Sequence, residues 1–229
     1  MDEPRRESVA DRIAESLRAS ILRGRLSPGD ALPSERDLAT TYAANRSTVR
    51  EAVRQLEAWG LVQVRHGGAT RVREYLLSAG IELVPHLFSA RGQVDPAVLR
   101  DLHECRAMIL GWSAEQAATQ ADPASLARLE GLVRDMRAAL GRPARLQELD
   151  YDFFEALVGI TGNRVLGLFA NVVRNVYLAG RERFVSMYEG GAFNLVHHEA
   201  VVAAVRARDP AAAAAAMRAH ALSPLRAAP

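Results

Sequence analysis

The residues near the start of the chain whose types and spacing could do chemistry lie between positions 45 and 56. In Asn45-Arg46-Ser47-Thr48-Val49-Arg50-Glu51-Ala52-Val53-Arg54-Gln55-Leu56 the apolar Val49, Ala52, Val53 and Leu56 recur at helical spacing. With Val49 taken as the core direction, Arg46, Arg50, Arg54 and Ser47 fall at about 60°, 100°, 140° and 160°, one polar arc beside the buried face. Guanidiniums so placed can donate in pairs to guanine edges or to phosphate, and the free N–H groups at the helix start favour an anion. The sequence alone also allows a plain solvated basic face. Downstream, His66-Gly67-Gly68 sits between two short apolar pieces, and glycine there would let backbone approach a second groove or a phosphate.

Arg106 is the second candidate. Leu99, Leu102, Arg106 and Ile109 share a helical face, which aims the guanidinium at an interior. A buried charge needs a partner: Asp150 or Glu155 within the chain, or an anionic group on a bound molecule. Catalytic patterns are missing. There is no His-Glu-x-x-His, no Gly-x-Ser-x-Gly and no phosphate-cradling glycine loop. Cys105, the one cysteine, has no histidine at nucleophile spacing and reads as a small core residue. A metallohydrolase built on His197, His198, Glu199, Asp150 and His220 is therefore disfavoured, and the expectation is not an enzyme.

Two parts must position these groups, and the chain reads as mainly α. The first, residues 8–73, begins with a helix from Ser8 to Arg23 whose stripe is Val9, Ile13, Leu17 and Ile21. Leu26-Ser27-Pro28-Gly29-Asp30 breaks it, Ser34 caps a short helix to Tyr42, and a third helix runs from Ser47 to Trp59 with Gly60 as its stop. Strand-like Leu61–Val64 and Thr70–Arg73 follow, so three helices and a small β-hairpin make a winged helix-turn-helix. Residues 74–94 read as a linker and the first helix of a second domain, and 95–225 as its all-helical remainder. Breaks near Gly92, Ala121-Asp122-Pro123, Gly141-Arg142-Pro143, Thr161-Gly162-Asn163, Gly190-Gly191 and Asp209-Pro210 leave six or seven segments. Their length, roughly 12–25 residues, suits a bundle. The run Ala211–Ala216 reads as a tightly packed helix.

Composition narrows the classes further. The 229 residues are 49% hydrophobic and 24% charged, a globular balance, and all 29 basic residues are arginine. Residues 44–73 carry six arginines against Glu51 and Glu57, an excess suited to a polyanion. No apolar run reaches the ~20 residues of a membrane span, the first thirty residues are charged throughout, and a lone cysteine fits a reducing compartment. A cytoplasmic protein without a membrane partner is expected.

Pro28-Gly29-Asp30, Leu32-Pro33-Ser34-Glu35-Arg36-Asp37-Leu38-Ala39 and the run from Asn45 to Leu56 resemble the GntR family of bacterial transcription regulators. The helical half resembles the effector domain of its FadR branch. The resemblance implies a ligand-responsive regulator that acts as a homodimer on palindromic double-stranded DNA, its operator affinity altered by a small molecule. It implies DNA contacts at Arg36, Arg46, Ser47, Thr48 and Arg50, wing contacts at His66 and Gly67, and a place for Asn45 at the same surface.

For the helical domain, the resemblance implies an Asp and three His around a divalent metal in many members. Asp150, His198 and His220 match three of those positions, and Phe154 stands where the fourth ligand would be. A phenyl ring supplies no lone pair, so no cofactor is firmly expected. A metal-dependent regulator holding an ion at Asp150, His198 and His220 is the alternative. Arg106 matches a position that implies an anchor for an effector carboxylate or phosphate. Asn163 reads either as part of that cavity's lining or as a helix N-cap. A metal-free subgroup binds acyl-CoA, and Glu148-Leu149-Asp150-Tyr151-Asp152-Phe153-Phe154 is similar to it; Ala219-His220-Ala221-Leu222-Ser223 lacks that subgroup's polar groups. The expected effector is a carboxylate or an acyl-CoA, with Arg106, Asp150, Phe154, Asn163, His198 and His220 around it.

Overall fold

The computed structural model describes residues 8–65, 68–89, 96–179, 185–188 and 195–227, and the chain divides into two units, residues 1–95 and 96–229. The first begins with α1, Val9–Leu22, closed by a capping box: Ser8 Oγ accepts from the Asp11 N–H, and the Asp11 carboxylate accepts from the Ser8 N–H. Its buried stripe is Ala10, Ile13, Ala14, Leu17 and Ile21, whereas Val9, expected in the stripe, is 42% exposed because it precedes the first packed turn. Ser34 caps α2, Glu35–Thr41, and α3 spans Arg46–Ala58 with Val49, Ala52, Val53 and Leu56 buried. Helix α3 packs on both α1 and α2.

The wing is smaller than its sequence suggests. β1, Val62–Gln63, pairs antiparallel with β2, Arg71–Val72, with Val62 opposite Val72. A third piece completes it: Gly29 and Leu32 donate to Val72 and Thr70, and Val72 donates to Asp30. The segment that ends α1 in the sequence therefore also edges the wing.

Residues read as a linker and first helix of the second domain carry α4, Tyr75–Ser78, a 3-10 turn at Ile81–Leu83, and α5, Val84–Ser89. Leu83 is buried in the first core, with Tyr75, Ala79 and Leu87 packed against it. Gly60 makes this approach possible. Its φ is +71°, and a Cβ there would sit 2.2 Å from the Ser78 carbonyl oxygen. The Ser78 hydroxyl donates to the Gly60 carbonyl at 2.7 Å.

The second unit is helical throughout its described residues. Its helices are α6, Pro96–Gln120; α7, Pro123–Ala138; α8, Pro143–Ile160; α9, Arg164–Ala179; α10, Val196–Ala207; and α11, Pro210–Ala227, with a 3-10 turn at Val185–Tyr188. α6 packs most extensively against α11. Small residues allow the close approach: Ala107, Ala114, Ala117 and Ala118 face a surface that includes Ala213, Met217 and Ala221. Only part of the alanine run is packed, since Ala213 and Ala214 are buried and Ala211, Ala212 and Ala215 are exposed. Cys105, expected in the core, is exposed.

Candidate nucleic-acid interface and polar centre

The solvent face of α3 carries Arg46, Ser47, Arg50 and Arg54, all exposed, opposite its four buried apolar residues. The helix start is organised by Asn45. Its Oδ1 accepts from the Thr48 N–H at 2.8 Å, the Ser47 hydroxyl at 2.6 Å and the Thr48 hydroxyl at 2.9 Å. Asn45 is thus the N-cap as well as a surface residue, and both hydroxyls must rotate before they can donate to a phosphate. Arg50 Nε donates to Glu35 on α2 at 2.8 Å, yet its side chain keeps 59% of its exposure. That pair orients the guanidinium across the two helices without burying it. Arg36 projects with 77% side-chain exposure near Asp37. The structure brings Arg36, Asn45, Arg46, Ser47, Thr48 and Arg50 onto α2, α3 and the turn between them. His66 and Gly67 lie outside the described residues.

The second unit contains a buried polar centre organised by Asp150 of α8, which is 2% exposed. Asp150 Oδ1 accepts from His198 Nε2 at 2.8 Å and His220 Nε2 at 2.9 Å. Oδ2 accepts from Arg106 Nη2 at 2.9 Å and the Tyr188 hydroxyl at 2.7 Å. Because a carboxylate only accepts, both imidazoles present Nε2–H to it. The 3.3 Å approach of Arg106 Nη2 to His220 Nε2 is then a close contact between two donors, not a hydrogen bond. Burial would raise the Asp150 pKa, but His220, Arg106 and the hydrogen bonds from His198 and His220 hold it well below the usual carboxylate range. Burial pulls His220 down to about 4 against the opposing effect of Asp150. An ionised Asp150 neutralised by the permanent cation Arg106 is the arrangement these directions support.

The buried face of α6 differs from the expected one. Leu99, Leu102, Arg106 and Ile109 are intermediate in exposure, and His103, Ala107, Leu110 and Ala114 are buried. Arg106 stands at the rim of that face and reaches inward along its aliphatic stem. Phe154, one turn after Asp150, is 4% exposed and packs edge-on against Tyr151 at 5.8 Å. Asn163 does not join the centre: it is exposed, and its Oδ1 caps α9 by accepting from the Leu166 N–H. Tyr188 and His103 were missed by sequence reasoning. Tyr188 follows no periodic pattern, whereas His103 lies one turn before Arg106 and helical spacing could have found it.

Asp150, His198 and His220 offer ligand atoms within 4.8 Å of one another, an Asp/His/His cluster of the right donor types for a divalent ion. Charge and occupancy argue the other way. The guanidinium of Arg106 already contacts two of the three groups, Tyr188 takes Oδ2, and Phe154 supplies no fourth ligand. The set does not fit a resident divalent ion while Arg106 lies among it.

A helix-turn-helix with an exposed arginine face and a paired wing, in one chain with an all-helical unit built round a buried polar centre, defines a DNA-binding transcription regulator with an effector domain. Family models agree with each half: "Bacterial regulatory proteins, gntR family" matches residues 9–72, and "FCD domain" matches residues 101–223. The chain belongs to the GntR family, in its FadR-type branch with an FCD effector-binding domain. It is 37% identical over 175 residues to the HTH-type transcriptional regulator Mce2R of Mycobacterium tuberculosis, covering 75% of this chain and 71% of that protein. It is 28% identical over 171 residues to the fatty acid metabolism regulator protein of Edwardsiella ictaluri, covering 75% and 70%. Among solved structures, E. coli McbR/YncC shares the fold with a TM-score of 0.51 at 16% identity, over 96% of each chain.

Proposed function

We propose that this regulator binds a palindromic operator in double-stranded DNA as a homodimer in the cytoplasm, reading bases and phosphates with Arg36, Asn45, Arg46, Ser47, Thr48 and Arg50, with His66 and Gly67 at the wing. It has no catalytic role. The observation that carries this reading is the face of α3: three guanidiniums project to solvent while the opposite side is fully packed. The polar centre takes a carboxylate-bearing effector at Arg106, which exchanges Asp150 for the ligand's carboxylate. Asp150, His198, His220 and Phe154 surround it. The alternative effector is an acyl-CoA, whose thioester carries no carboxylate and which would meet Arg106 through a phosphate, in keeping with the fatty acid regulator among its relatives.

The test is fluorescence anisotropy with DNA from the gene's own upstream region. Arg50→Ala is expected to weaken specific binding by about 1–3 kcal/mol, roughly 5- to 150-fold, through loss of a bidentate contact. Exposed ion pairs such as Arg50–Glu35 contribute little to stability, about 0–1 kcal/mol, so the variant stays folded. Wild-type affinity in Arg50→Ala would refute the assignment.

A further inference from the structure

His103 is 4% exposed on α6, in the seam that α6 forms with α11. Its Nδ1 lies 3.1 Å from the carbonyl oxygen of Ala221, the residue after His220. A carbonyl oxygen can only accept, so Nδ1 carries the hydrogen and donates it. Burial, and then the positive charge of Arg106 nearby, push the imidazole down to about 4, so it is neutral near pH 7. A neutral ring with its hydrogen on Nδ1 has a bare lone pair at Nε2, and that buried atom has no hydrogen-bond partner among the described residues. Such an acceptor is costly to leave unmatched.

Arg106 and His103 are one turn apart on the same helix, and side chains three apart start about 5–6 Å from each other. One offers only donors, the other only an acceptor. We infer that the effector is a hydroxycarboxylate, its carboxylate taken by Arg106 and its hydroxyl, a few carbons away at most, donating to Nε2 of His103. This rests on the proposed role of Arg106 in effector binding. An ammonium could also donate to His103, but it would stand beside the Arg106 cation and is rejected by like charge. His103 is then the group that selects among carboxylates.

Isothermal titration of the full-length protein with octanoate, 2- and 3-hydroxyoctanoate, and their methoxy counterparts tests this. A hydroxy acid is expected to bind roughly tenfold more tightly than octanoate, because the analogue leaves a buried acceptor unpaired. The methoxy acid, which cannot donate, should match octanoate, a comparison that needs no variant. In His103→Leu the hydroxy preference should vanish while octanoate affinity holds within about twofold, the loss being confined to the hydroxyl contact. Acids that bind in an Arg106-dependent way without a hydroxyl preference, or a preference that survives in His103→Leu, overturn the inference and leave the Arg106 reading intact. Absence of binding by every acid overturns both.

Discussion

Removing the guanidinium from the polar centre is the sharpest test of how that centre is held together. Arg106→Met keeps the apolar stem and deletes the cation. Asp150 would be left 2% exposed, its charge supported by His198 at 2.8 Å, His220 at 2.9 Å and the Tyr188 hydroxyl at 2.7 Å. The lost ion pair is 2.9 Å long, and Arg106 keeps only 18% of its side-chain exposure. At an effective dielectric near 20, such a separation corresponds to about 6 kcal/mol of gross attraction, part of which offsets the cost of desolvating the guanidinium. Breaking a buried pair typically costs about 3–5 kcal/mol, and three remaining donors place this case near 3. For a chain of this size that lowers Tm by about 6–12 °C, read by circular dichroism or differential scanning calorimetry. Asp150→Asn removes the charge that needs compensation, so the double variant should be more stable than the summed single effects by at least about 1.5 kcal/mol. Additivity within about 0.5 kcal/mol would refute the pairing. So would an unchanged Tm in Arg106→Met, which would mean another cation holds Asp150. Metal analysis of the purified protein closes that route: the expected content is well below one ion per chain. Near-stoichiometric metal lost with Asp150, His198 or His220 would put a divalent ion in the centre.

Two further outcomes concern the first unit. Gly60→Ala puts a side chain where φ is +71° and where its Cβ would meet the Ser78 carbonyl oxygen at 2.2 Å. A left-handed conformation alone costs roughly 1–2 kcal/mol and the backbone clash adds to it, so a loss of about 3 kcal/mol is expected in thermal unfolding followed by Trp59 fluorescence in a Trp112→Phe background; a loss under about 0.5 kcal/mol would show that α4 does not sit on Gly60. His86 lies against Trp59, ring centroids 5.6 Å apart, and burial, then the Arg18 charge, push it down to about 4. The unfolded chain therefore takes up a proton that the folded chain resists, and stability present above pH ~6.5 drains away between there and pH ~4. Discounted for partial exposure, the term is on the order of 1 kcal/mol. His86→Gln should flatten the Tm-versus-pH curve in that window, and parallel curves would refute it.

What was legible in the sequence was what adjacent residues decide. Ser8 and Ser34 stand immediately before helices as cap residues should, and the turns at 121–123, 141–143, 161–163 and 209–210 separate helices, because caps, glycine and proline act within a few residues. Asn45 was harder, since the side chain that marks a contact surface also satisfies the first turn of α3. The wing's third piece was not legible: its bonds from Gly29 and Leu32 reach some forty residues along the chain. The buried face of α6 lies one position from the face its leucines mark, because the close approach of α11 is set by the small Ala107 and Ala114. The polar centre joins positions 44, 48, 38 and 70 residues apart, and no periodicity encodes such pairings.

That long-range wiring bears on how such a centre can report a ligand. Arg106 belongs to α6, Asp150 to α8, His198 to α10, His220 to α11 and Tyr188 to a short turn, so one carboxylate ties five elements together. A ligand that bound at the rim and left this set unchanged would have no means of favouring one arrangement over another. A carboxylate that displaces Asp150 from Arg106 does have such a means. It leaves α8, α10 and α11 joined through Asp150 and its two histidines, and it removes the ion pair by which α6 is tied to that carboxylate. Coupling free energies of about 1–3 kcal/mol, the usual range for effector control, are no larger than the worth of that single ion pair. The strength of regulation should therefore follow the ligand's ability to replace Asp150 on Arg106, and not its total affinity.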